Sequence, residues 1–372
     1  MALPEIHLTG DAAQQGEMHG RALRERIAHN LALYFHRFER EIFLPRGDVL
    51  ALADRYAATI AAQNPDYFSQ MRGVAAGSGF SLGEIVALNI RYEILYYRFG
   101  KIALATEVMG TVAHEPKPDG CTAFALLPEI TASGHLLMGQ NWDWIPDVQG
   151  AVVRTTDADG FETLGFTEAG IVGTKIGLNT AGIGLGINGM TTVDDDMERM
   201  AKPFHVRCYE ILRSRTLADT VAVITGEGRS CSTNFLLAQA PDGVANVEAA
   251  PDVVNILSCT DGCLTHANHF VAPDALGVRE TPSERIGYSY ARERRLRELL
   301  LAAKPLTVEK IQDALRNTEN EPFGICRHRD LTQPETGHYT TVSSVVMDLH
   351  TRTVHLTDGA PDESEYQTAS LG

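Results

Sequence analysis

The stretch Asp119-Gly120-Cys121-Thr122-Ala123-Phe124 places a cysteine directly after a glycine, at the start of an apolar run that reaches Leu127. A second apolar run, 136–140, leads into Asn141-Trp142-Asp143-Trp144. Short apolar runs bounded by glycine or proline are typical of buried β-strands. We therefore predict two strands, 122–127 and 136–140, with the cysteine at the start of the first.

A break in the chain before Cys121 would give this residue two chemical roles. Its thiol is a nucleophile, and its new α-amine, with a pKa of about 8, is a base at neutral pH. Gly120 suits such a junction because glycine tolerates a strained backbone. The Gly-Cys pair alone leaves a second interpretation open, in which Cys121 is a buried core residue at the start of a strand.

The chain before this stretch has the pattern of helices. Apolar residues recur at three- and four-residue steps, Asp11 is a typical N-cap, and Ser81 with Glu84 has capping-box spacing. We predict a short strand at 5–10 and then helices at 11–43, 48–63, 65–76 and 81–97.

The chain after about residue 111 has the pattern of antiparallel strands joined by glycine turns. Besides the two strands above, we predict strands at 151–155, 162–166, 183–187, 234–239, 244–248, 253–257, 342–349 and 353–356. Helices are predicted at 203–213, 217–225, 283–303 and 307–317, and the tail beyond Asp358 is expected to fray. This grouping predicts an α+β fold in which sheet packs on sheet with helices outside. The helical first 110 residues are either a separate cap or part of the same core.

Composition limits the kind of partner. The chain has 372 residues, of which 44% are hydrophobic and 22% charged, as in ordinary globular proteins. A net charge of −16 makes nucleic acid and anionic membranes unsuitable partners. No segment approaches the roughly 18–20 apolar residues of a membrane span. The six cysteines are sparse and irregularly spaced, so we expect reduced thiols in a cytoplasmic protein.

Several motifs resemble one known family. They are Asp119–Thr122, Gly139–Trp144, His266–Phe270, Ser344–Asp348 and the opening segment Gly16–Gly20. Together they resemble the isopenicillin-N acyltransferase family (acyl-coenzyme A:6-aminopenicillanic-acid acyltransferase), whose members are self-processing N-terminal-nucleophile cysteine hydrolases. The resemblance implies a four-layer αββα sandwich of antiparallel sheets with a mainly helical N-terminal segment. Residues 1–120 would become the small subunit after cleavage and 121–372 the nucleophile-bearing portion, with the two cleaved chains held together in one compact unit.

The resemblance also implies the catalytic residues. Cys121 matches the autocatalytic, acyl-accepting nucleophile, and cleavage would fall between Gly120 and Cys121. Asp143 matches the acid beside the new α-amine, and Asn268 matches the amide that stabilises the oxyanion. From the residues alone, Asp143 can instead be a strand-end aspartate and Asn268 a turn residue.

Three further residues are candidates for a substrate pocket: Gln140, Trp142 and Asn188. Alternation along the strand puts Trp142 and Trp144 on one face and Asp143 on the other, which favours packing between layers for the tryptophans. Asn188 precedes Gly189, and an Asn-Gly pair is equally typical of a hairpin turn.

Other clusters receive simpler interpretations. The spacing of Cys263, His266 and His269 is not a standard zinc pattern, so we expect no metal there and no other cofactor. The run 326–330 is interpreted as a solvated loop that could border the pocket, and 292–297 as the wet face of its helix.

The favoured function is cleavage of a small-molecule N-acyl amide through a thioester on Cys121. Penicillin-type acyl transfer is the alternative, and two departures weigh against it. The stretch 248–251 lacks the serine that the family carries ahead of its His-x-Asn-His motif, and 337–340 lacks its Ser-Arg pair. A non-catalytic binding protein on the same fold is a third hypothesis. Homo-oligomerisation is left open.

Overall fold

The computed structural model describes residues 2–109, 120–282 and 286–372. The helices in these ranges are α1 (Ala12–Ala22), α2 (Arg24–Glu41), α3 (Arg46–Gln63), α4 (Pro65–Ser78), α5 (Leu82–Asn89), α6 (Arg91–Met109), α7 (Phe204–Arg213), α8 (Leu217–Thr225), α9 (Pro273–Leu276), α10 (Ile286–Ala302) and α11 (Val308–Leu315). The strands are β1 (Glu5–Thr9), β2 (Thr122–Leu126), β3 (Leu137–Trp144), β4 (Gly150–Thr156), β5 (Glu162–Glu168), β6 (Ile176–Asn179), β7 (Ile183–Gly189), β8 (Thr233–Gln239), β9 (Gly243–Ala249), β10 (Val254–Leu257), β11 (Cys263–His266), β12 (Thr340–Asp348), β13 (Thr353–Leu356) and β14 (Gln367–Ser370).

The strands form two sheets. The larger has the order β1-β4-β5-β6-β7-β8-β9-β10 and the smaller β11-β2-β3-β12-β13-β14. All neighbouring pairs are antiparallel except β1 and β4, which run parallel. The strands β2 and β3, which the opening stretch predicted, lie next to each other in the smaller sheet, with Thr122 opposite Asn141.

The two sheets are stacked between layers of helices. Strands β2 and β3 face β7 across the interior, α7 and α8 pack on the outside of the larger sheet, and α10 and α11 on the outside of the smaller. The predicted α+β fold with a four-layer αββα order is therefore confirmed. The N-terminal helices share a core with the sheets, since Ile27 and Leu88 belong to the same buried cluster as Leu164 and Met138.

Several element predictions need correction. The predicted helix 11–43 is two helices, α1 and α2, and 81–97 is likewise divided into α5 and α6. The strands β6, β11 and β14 were missed. The tail does not fray, because β14 pairs with β13 and the Gln367 side chain accepts a 2.7 Å bond from the Leu3 amide. The predicted start of helix 283–303 and the junction residue Asp119 lie outside the described residues.

Four glycines bring α1 and α4 into backbone contact. A Cβ added to Gly16 would lie 2.1 Å from the Gln70 carbonyl oxygen, and one added to Gly73 would lie 2.3 Å from that of Ala13. Gly20 and Gly77 are equally restricted, with gaps of 2.3 and 2.2 Å to backbone oxygens. Real Cβ atoms do not approach backbone this closely, so this close packing requires glycine.

We expect Gly16→Ala to destabilise the protein by about 1–3 kcal/mol or more, because the added methyl group forces the two helices apart. The matched control is Gly47→Ala in α3, where no atom lies within 4 Å of the added Cβ. There the better helix propensity of alanine should be neutral or stabilise by up to about 1 kcal/mol. Urea unfolding of both variants measures the difference, and equal effects would show that the helix contact is looser than described.

Candidate active site

Cys121 lies immediately before β2 and is buried, with 4% of its surface exposed. Continuing the β2–β3 register by one residue places it opposite Trp142, on the face that looks toward the larger sheet. Its Sγ is 3.5 Å from the main-chain oxygen of Asp143, to which the thiol donates. Burial, and then the nearby Asp143 carboxylate, raise the pKa of the Cys121 thiol to about 12. In the intact chain the thiol is therefore neutral at neutral pH.

Gly120 is enclosed by two charged side chains. A Cβ added there would lie 2.6 Å from Oδ2 of Asp143 and 2.8 Å from Nη1 of Arg327. Its amide donates to Oδ1 of Asn268 at 3.1 Å, and its carbonyl oxygen accepts from the Thr122 hydroxyl at 3.5 Å. The peptide bond that the sequence analysis singled out is thus held on both sides by polar groups.

A hydroxyl group positions the acidic residue. Thr341 of β12 is buried, and its Oγ1 donates to Oδ1 of Asp143 at 2.6 Å. The same oxygen accepts from the Arg327 main-chain amide at 2.9 Å. Thr341 therefore fixes both the Asp143 carboxylate and the segment that carries Arg327.

Asn268 is oriented by an arginine. Nη2 of Arg292 donates to Oδ1 of Asn268 at 3.0 Å. Because a guanidinium only donates, this bond assigns Oδ1, and Nδ2 then donates to the Gly189 carbonyl at 2.9 Å. An amide NH2 group has two hydrogens, so one N–H remains beyond the bond to Gly189. In this intact chain it is the amide oxygen of Asn268 that contacts the junction.

A buried ion group lies beneath Trp142. Lys175 is 1% exposed, its Nζ is 3.1 Å from the centre of the Trp142 ring, and it is paired with Glu168. Glu168 also pairs with Arg91, from the N-terminal segment. Burial raises the pKa of Glu168, but the charges of Arg91 and Lys175 outweigh it and bring that pKa to about 2. The carboxylate of Glu168 thus forms ion pairs with two cationic side chains.

A protonated Lys175 gives this group a surplus positive charge close to the nucleophile. Burial lowers the pKa of Lys175 to about 7, against the opposing attraction of Glu168. Lys175 and Cys121 are near enough for each charge to favour the other: Lys175 lowers the pKa of the thiol, and a thiolate raises that of the lysine. An anion at Cys121 would therefore balance a buried charge that Glu168 alone leaves uncompensated.

The three candidate pocket residues lie in different settings. Gln140 is fully buried and joins the sheets, since its amide group exchanges two bonds with the main chain of Ile187. Trp142 packs between the layers against Trp144 and Phe166, as alternation predicted. Asn188 lies within β7, so the hairpin-turn interpretation is wrong, and its Oδ1 accepts from Asn234 at 3.0 Å. Their role toward a substrate stays a prediction.

Two interpretations of charged runs are only partly right, since Arg294 and Arg329 are exposed as expected but one arginine in each run is not. Arg292 is buried rather than on the wet face of α10, and Arg327 is buried rather than in a solvated loop. The signal for Arg292 was present, because it continues the buried positions Leu296 and Leu300 of α10 at a four-residue step. Arg327 and Lys175 had no such signal, since Arg327 lies in the charged run 326–330 and Lys175 is a single charge in a glycine-rich stretch.

The suspected zinc residues have other partners. Nε2 of His266 lies 2.9 Å from Oε1 of Glu248, and Nδ1 of His269 is 2.8 Å from the Ser289 hydroxyl. Cys263 lies in β11, where its carbonyl accepts from Arg297. The three side chains do not form one of the metal-ligating groups found among the described residues.

Comparison with known families identifies the class. A family model described as acyl-coenzyme A:6-aminopenicillanic acid acyl-transferase matches residues 130–363, well over half of the chain. The chain belongs to this family and is accordingly an enzyme. The match includes Asp143 and Asn268 and begins just after the Gly120–Cys121 junction.

The chain is also similar to individual proteins. The acyl-coenzyme A:6-aminopenicillanic-acid-acyltransferase 40 kDa form of Emericella nidulans is 25% identical over 330 residues, which cover 87% of this chain and 84% of the relative. Among solved structures, a variant of conjugated bile acid hydrolase from Clostridium perfringens is 13% identical and covers 68% of this chain and 97% of its own, with a TM-score of 0.46. An N-acylethanolamine-hydrolyzing acid amidase ortholog from Caenorhabditis elegans is 13% identical, with a TM-score of 0.45, and covers 68% of this chain and 100% of its own.

The helices of the described residues include none with the length and apolar composition that a membrane span requires.

We expect Gly120→Ala to lower the free energy of unfolding by about 1–3 kcal/mol, because the new methyl group must displace Asp143 or Arg327. The measurement is urea unfolding in a Cys121→Ala background, which keeps the chain intact in every sample. Gly47→Ala in the same background is the control. Equal stability of the two variants would mean that the junction is not enclosed as described.

Proposed function

We propose that the protein is a self-processing N-terminal cysteine amidohydrolase that is cut between Gly120 and Cys121. The observation that carries the proposal is the placement of this one peptide bond between Asp143, Asn268 and Arg327, with the Cys121 thiol beside it. A neutral, buried thiol before cleavage fits a latent precursor.

Cleavage is an acyl shift followed by hydrolysis. Sγ of Cys121 attacks the Gly120 carbonyl carbon, the Gly120–Cys121 C–N bond breaks, and the thiol proton passes to the departing amine. Gly120 is then held as a thioester, and water releases its carboxylate. Thr122 donates to the carbonyl oxygen of Gly120, so it is placed to stabilise the developing negative charge.

The mature enzyme repeats the chemistry on a substrate. The new α-amine of Cys121 takes the thiol proton, and the thiolate attacks the carbonyl carbon of an N-acyl amide. Asp143, adjacent to Gly120 in the intact chain, would then pair with the α-ammonium group. The α-ammonium group gives its proton to the departing amine as the C–N bond breaks, and an S-acyl thioester remains. Water then hydrolyses the thioester, which releases the acid and restores the thiol. Departure of Gly120 frees Oδ1 of Asn268 from its amide, and an N–H of Nδ2 would stabilise the oxyanion, a contribution of about 3–4 kcal/mol.

The buried ion group supports the thiolate. Glu168 is shared between Arg91 and Lys175, so the group carries a surplus positive charge near Cys121 whenever Lys175 is protonated. In a dry interior an uncompensated charge is unfavourable, and a thiolate on Cys121 removes that imbalance. Lys175 thereby acts as a positioning charge for the nucleophile.

Acyl transfer is the second candidate, because the matched family and the Emericella relative carry that activity in their descriptions. The same thioester would serve, with an amine replacing water. The missing serine at 248–251 and Ser-Arg pair at 337–340 favour hydrolysis. We place the enzyme in the cytoplasm, acting on a small-molecule N-acyl amide.

We expect Cys121→Ala to abolish both self-cleavage and amide hydrolysis, because it removes the only thiol at the junction. Intact-mass analysis of the purified wild type should show two chains that meet at Gly120–Cys121, and the variant should show one chain. Cys259→Ala, which alters a half-buried thiol elsewhere, should leave cleavage unchanged. A wild-type chain that stays whole after long incubation would contradict the mechanism and favour a binding protein on this fold.

A mixed assay separates hydrolysis from transfer. The cleaved enzyme is given a series of N-acyl amides of different acyl length, and then acyl-coenzyme A together with 6-aminopenicillanic acid. Release of free acid from the amides, with no new amide in the second mixture, is the expected result. Formation of the new amide at a rate comparable to hydrolysis would make acyl transfer the main activity.

We expect Lys175→Met to raise the pKa of the Cys121 thiol in the cleaved enzyme by roughly one unit or more, because a neighbouring cation favours the thiolate. Iodoacetamide alkylation of Cys121, followed by mass spectrometry across a pH series, reads this pKa directly. Its half-maximal pH should move upward in Lys175→Met and stay in place in Lys310→Met, which removes a surface cation. An unchanged profile in a cleaved, folded Lys175→Met protein would reject the role of Lys175 and leave the nucleophile assignment intact.

A further inference from the structure

Outside the candidate active site, three potential metal ligands converge on the far side of Arg327. Sγ of Cys326 lies 3.0 Å from Oδ1 of Asp362, and Nε2 of His328 lies 2.9 Å from Oδ2 of the same carboxylate. Sγ and Nε2 are 4.0 Å apart. Cys326 is buried, while His328 and Asp362 reach the surface, with side chains 19% and 27% exposed.

We propose that Cys326, His328 and Asp362 form a binding site for a divalent transition metal of the zinc type. Around tetrahedral zinc, a thiolate sulfur and the nitrogen or oxygen ligands lie roughly 3.3–3.6 Å from one another, given bond lengths of about 2.3 and 2.0–2.2 Å. Two of the separations here are 3.0 and 4.0 Å from Sγ, and the carboxylate offers a different oxygen to the sulfur and to the imidazole nitrogen. With one atom taken from each side chain, the three ligands all lie within 4.8 Å of one another, so a small contraction would bring them to bonding distance of a common centre.

The ligand types select this class of metal. Thiolate and imidazole ligands suit zinc and cobalt, whereas calcium and magnesium require oxygen ligands. Binding breaks the Sγ–H bond of Cys326, forms a sulfur–metal bond and releases the proton to water. A water would supply the fourth ligand, while Glu363, whose Oε1 is 4.0 Å from Nδ1 of His328, lies beside the imidazole nitrogen that does not face the metal.

A second cluster in the fold, formed by His135, Asp348 and His350, is already used by a turn. Oδ1 of Asp348 accepts the main-chain amides of His350 and Thr351 at 3.0 and 3.1 Å. Nδ1 of His350 accepts the amide of Leu136 at 3.1 Å. These bonds close the β12–β13 connection, so the side chains have a structural function without a metal.

No such turn links Cys326 to Asp362, which are 36 residues apart in the chain. A metal would tie the loop before β12 to the segment before β14. That loop carries Arg327, whose Nη1 approaches Gly120. The Arg327 amide donates to the Thr341 hydroxyl, and the Arg327 carbonyl accepts from the Thr341 amide. A bound metal would thus fix the position of this loop, and the loop in turn holds Arg327 beside the Gly120–Cys121 junction.

The test uses full-length Cys121→Ala protein, so that the junction thiol contributes nothing and the chain stays whole. Metal is removed with a chelator, Zn²⁺ or Co²⁺ is added, and bound metal is measured after dialysis together with the cobalt absorption spectrum. We expect one equivalent of zinc per chain and a cobalt–thiolate charge-transfer band. Cys326→Ser should remove the band and, like Asp362→Asn, weaken binding at least about tenfold.

Two controls locate the site. Cys259→Ser and His350→Gln should bind metal as the parent protein does, since neither residue belongs to the proposed site. Circular dichroism checks that each protein is folded. If Cys326→Ser does not fold, the proposal is tested by weaker metal binding in Asp362→Asn and by the cobalt–thiolate band of the parent protein. Absence of zinc binding by the folded parent, or a thiolate band that survives in Cys326→Ser, would overturn the proposal. These readouts do not depend on self-cleavage or amidase activity.

Discussion

The carboxylate of Glu168 joins the parts of this protein on which the site depends. It lies at the end of β5, fully buried, and binds Arg91 and Tyr34 from the N-terminal segment and Lys175 from the start of β6. The Tyr34 hydroxyl in turn accepts a 2.7 Å bond from the indole of Trp144, and Arg91 packs over the Trp144 ring. Removing one member of a buried ion group leaves an unpaired charge, at a cost of about 3–5 kcal/mol. The N-terminal helices, both sheets and the residues under Cys121 are therefore held together by one acid.

This arrangement places the chemistry at a boundary between two environments. On the inner face, Cys121 and Trp142 meet a dry, positively charged layer. Beside Gly120, Asp143 is held by Thr341, and Asn268 by Arg292. The junction is thus surrounded by side chains that are fixed before any bond breaks, so little reorganisation would be required at the moment of reaction.

The sequence was informative where one strand or one helix contains the whole pattern. The runs 122–127 and 136–140 identified β2 and β3, and the N-cap at Asp11 and the capping box at Ser81 are present as expected. The family motifs singled out Cys121, Asp143 and Asn268, and the structure places all three around the junction, since Gly120 lies beside both Asp143 and Asn268. Patterns of this kind are formed by residues that are close together in the sequence, so they can be recognised before the fold is known.

The rest depends on contacts between distant parts of the chain. The strand β14 is short, polar and at a sheet edge, and no period of apolar residues identifies it. Arg327 and Lys175 become site residues only because β12 and β6 bring them beside Gly120 and Trp142. A lone cation in a glycine-rich or irregular segment gives no indication of burial, since unpaired charges usually lie at the surface.

The parallel pairing of β1 with β4 acquires a different meaning if the chain is cut at Gly120. Glu5–Thr9 lies alongside 152–156, and its only strand neighbour is β4 of the larger sheet. Before the cut this is an ordinary intramolecular edge; afterwards one polypeptide supplies a strand to the sheet of another. The small subunit would then be a donated strand as well as a bundle of helices, and its loss would leave β4 as an open edge able to pair with other chains. Retention of the excised segment would in this way protect the mature enzyme from aggregation.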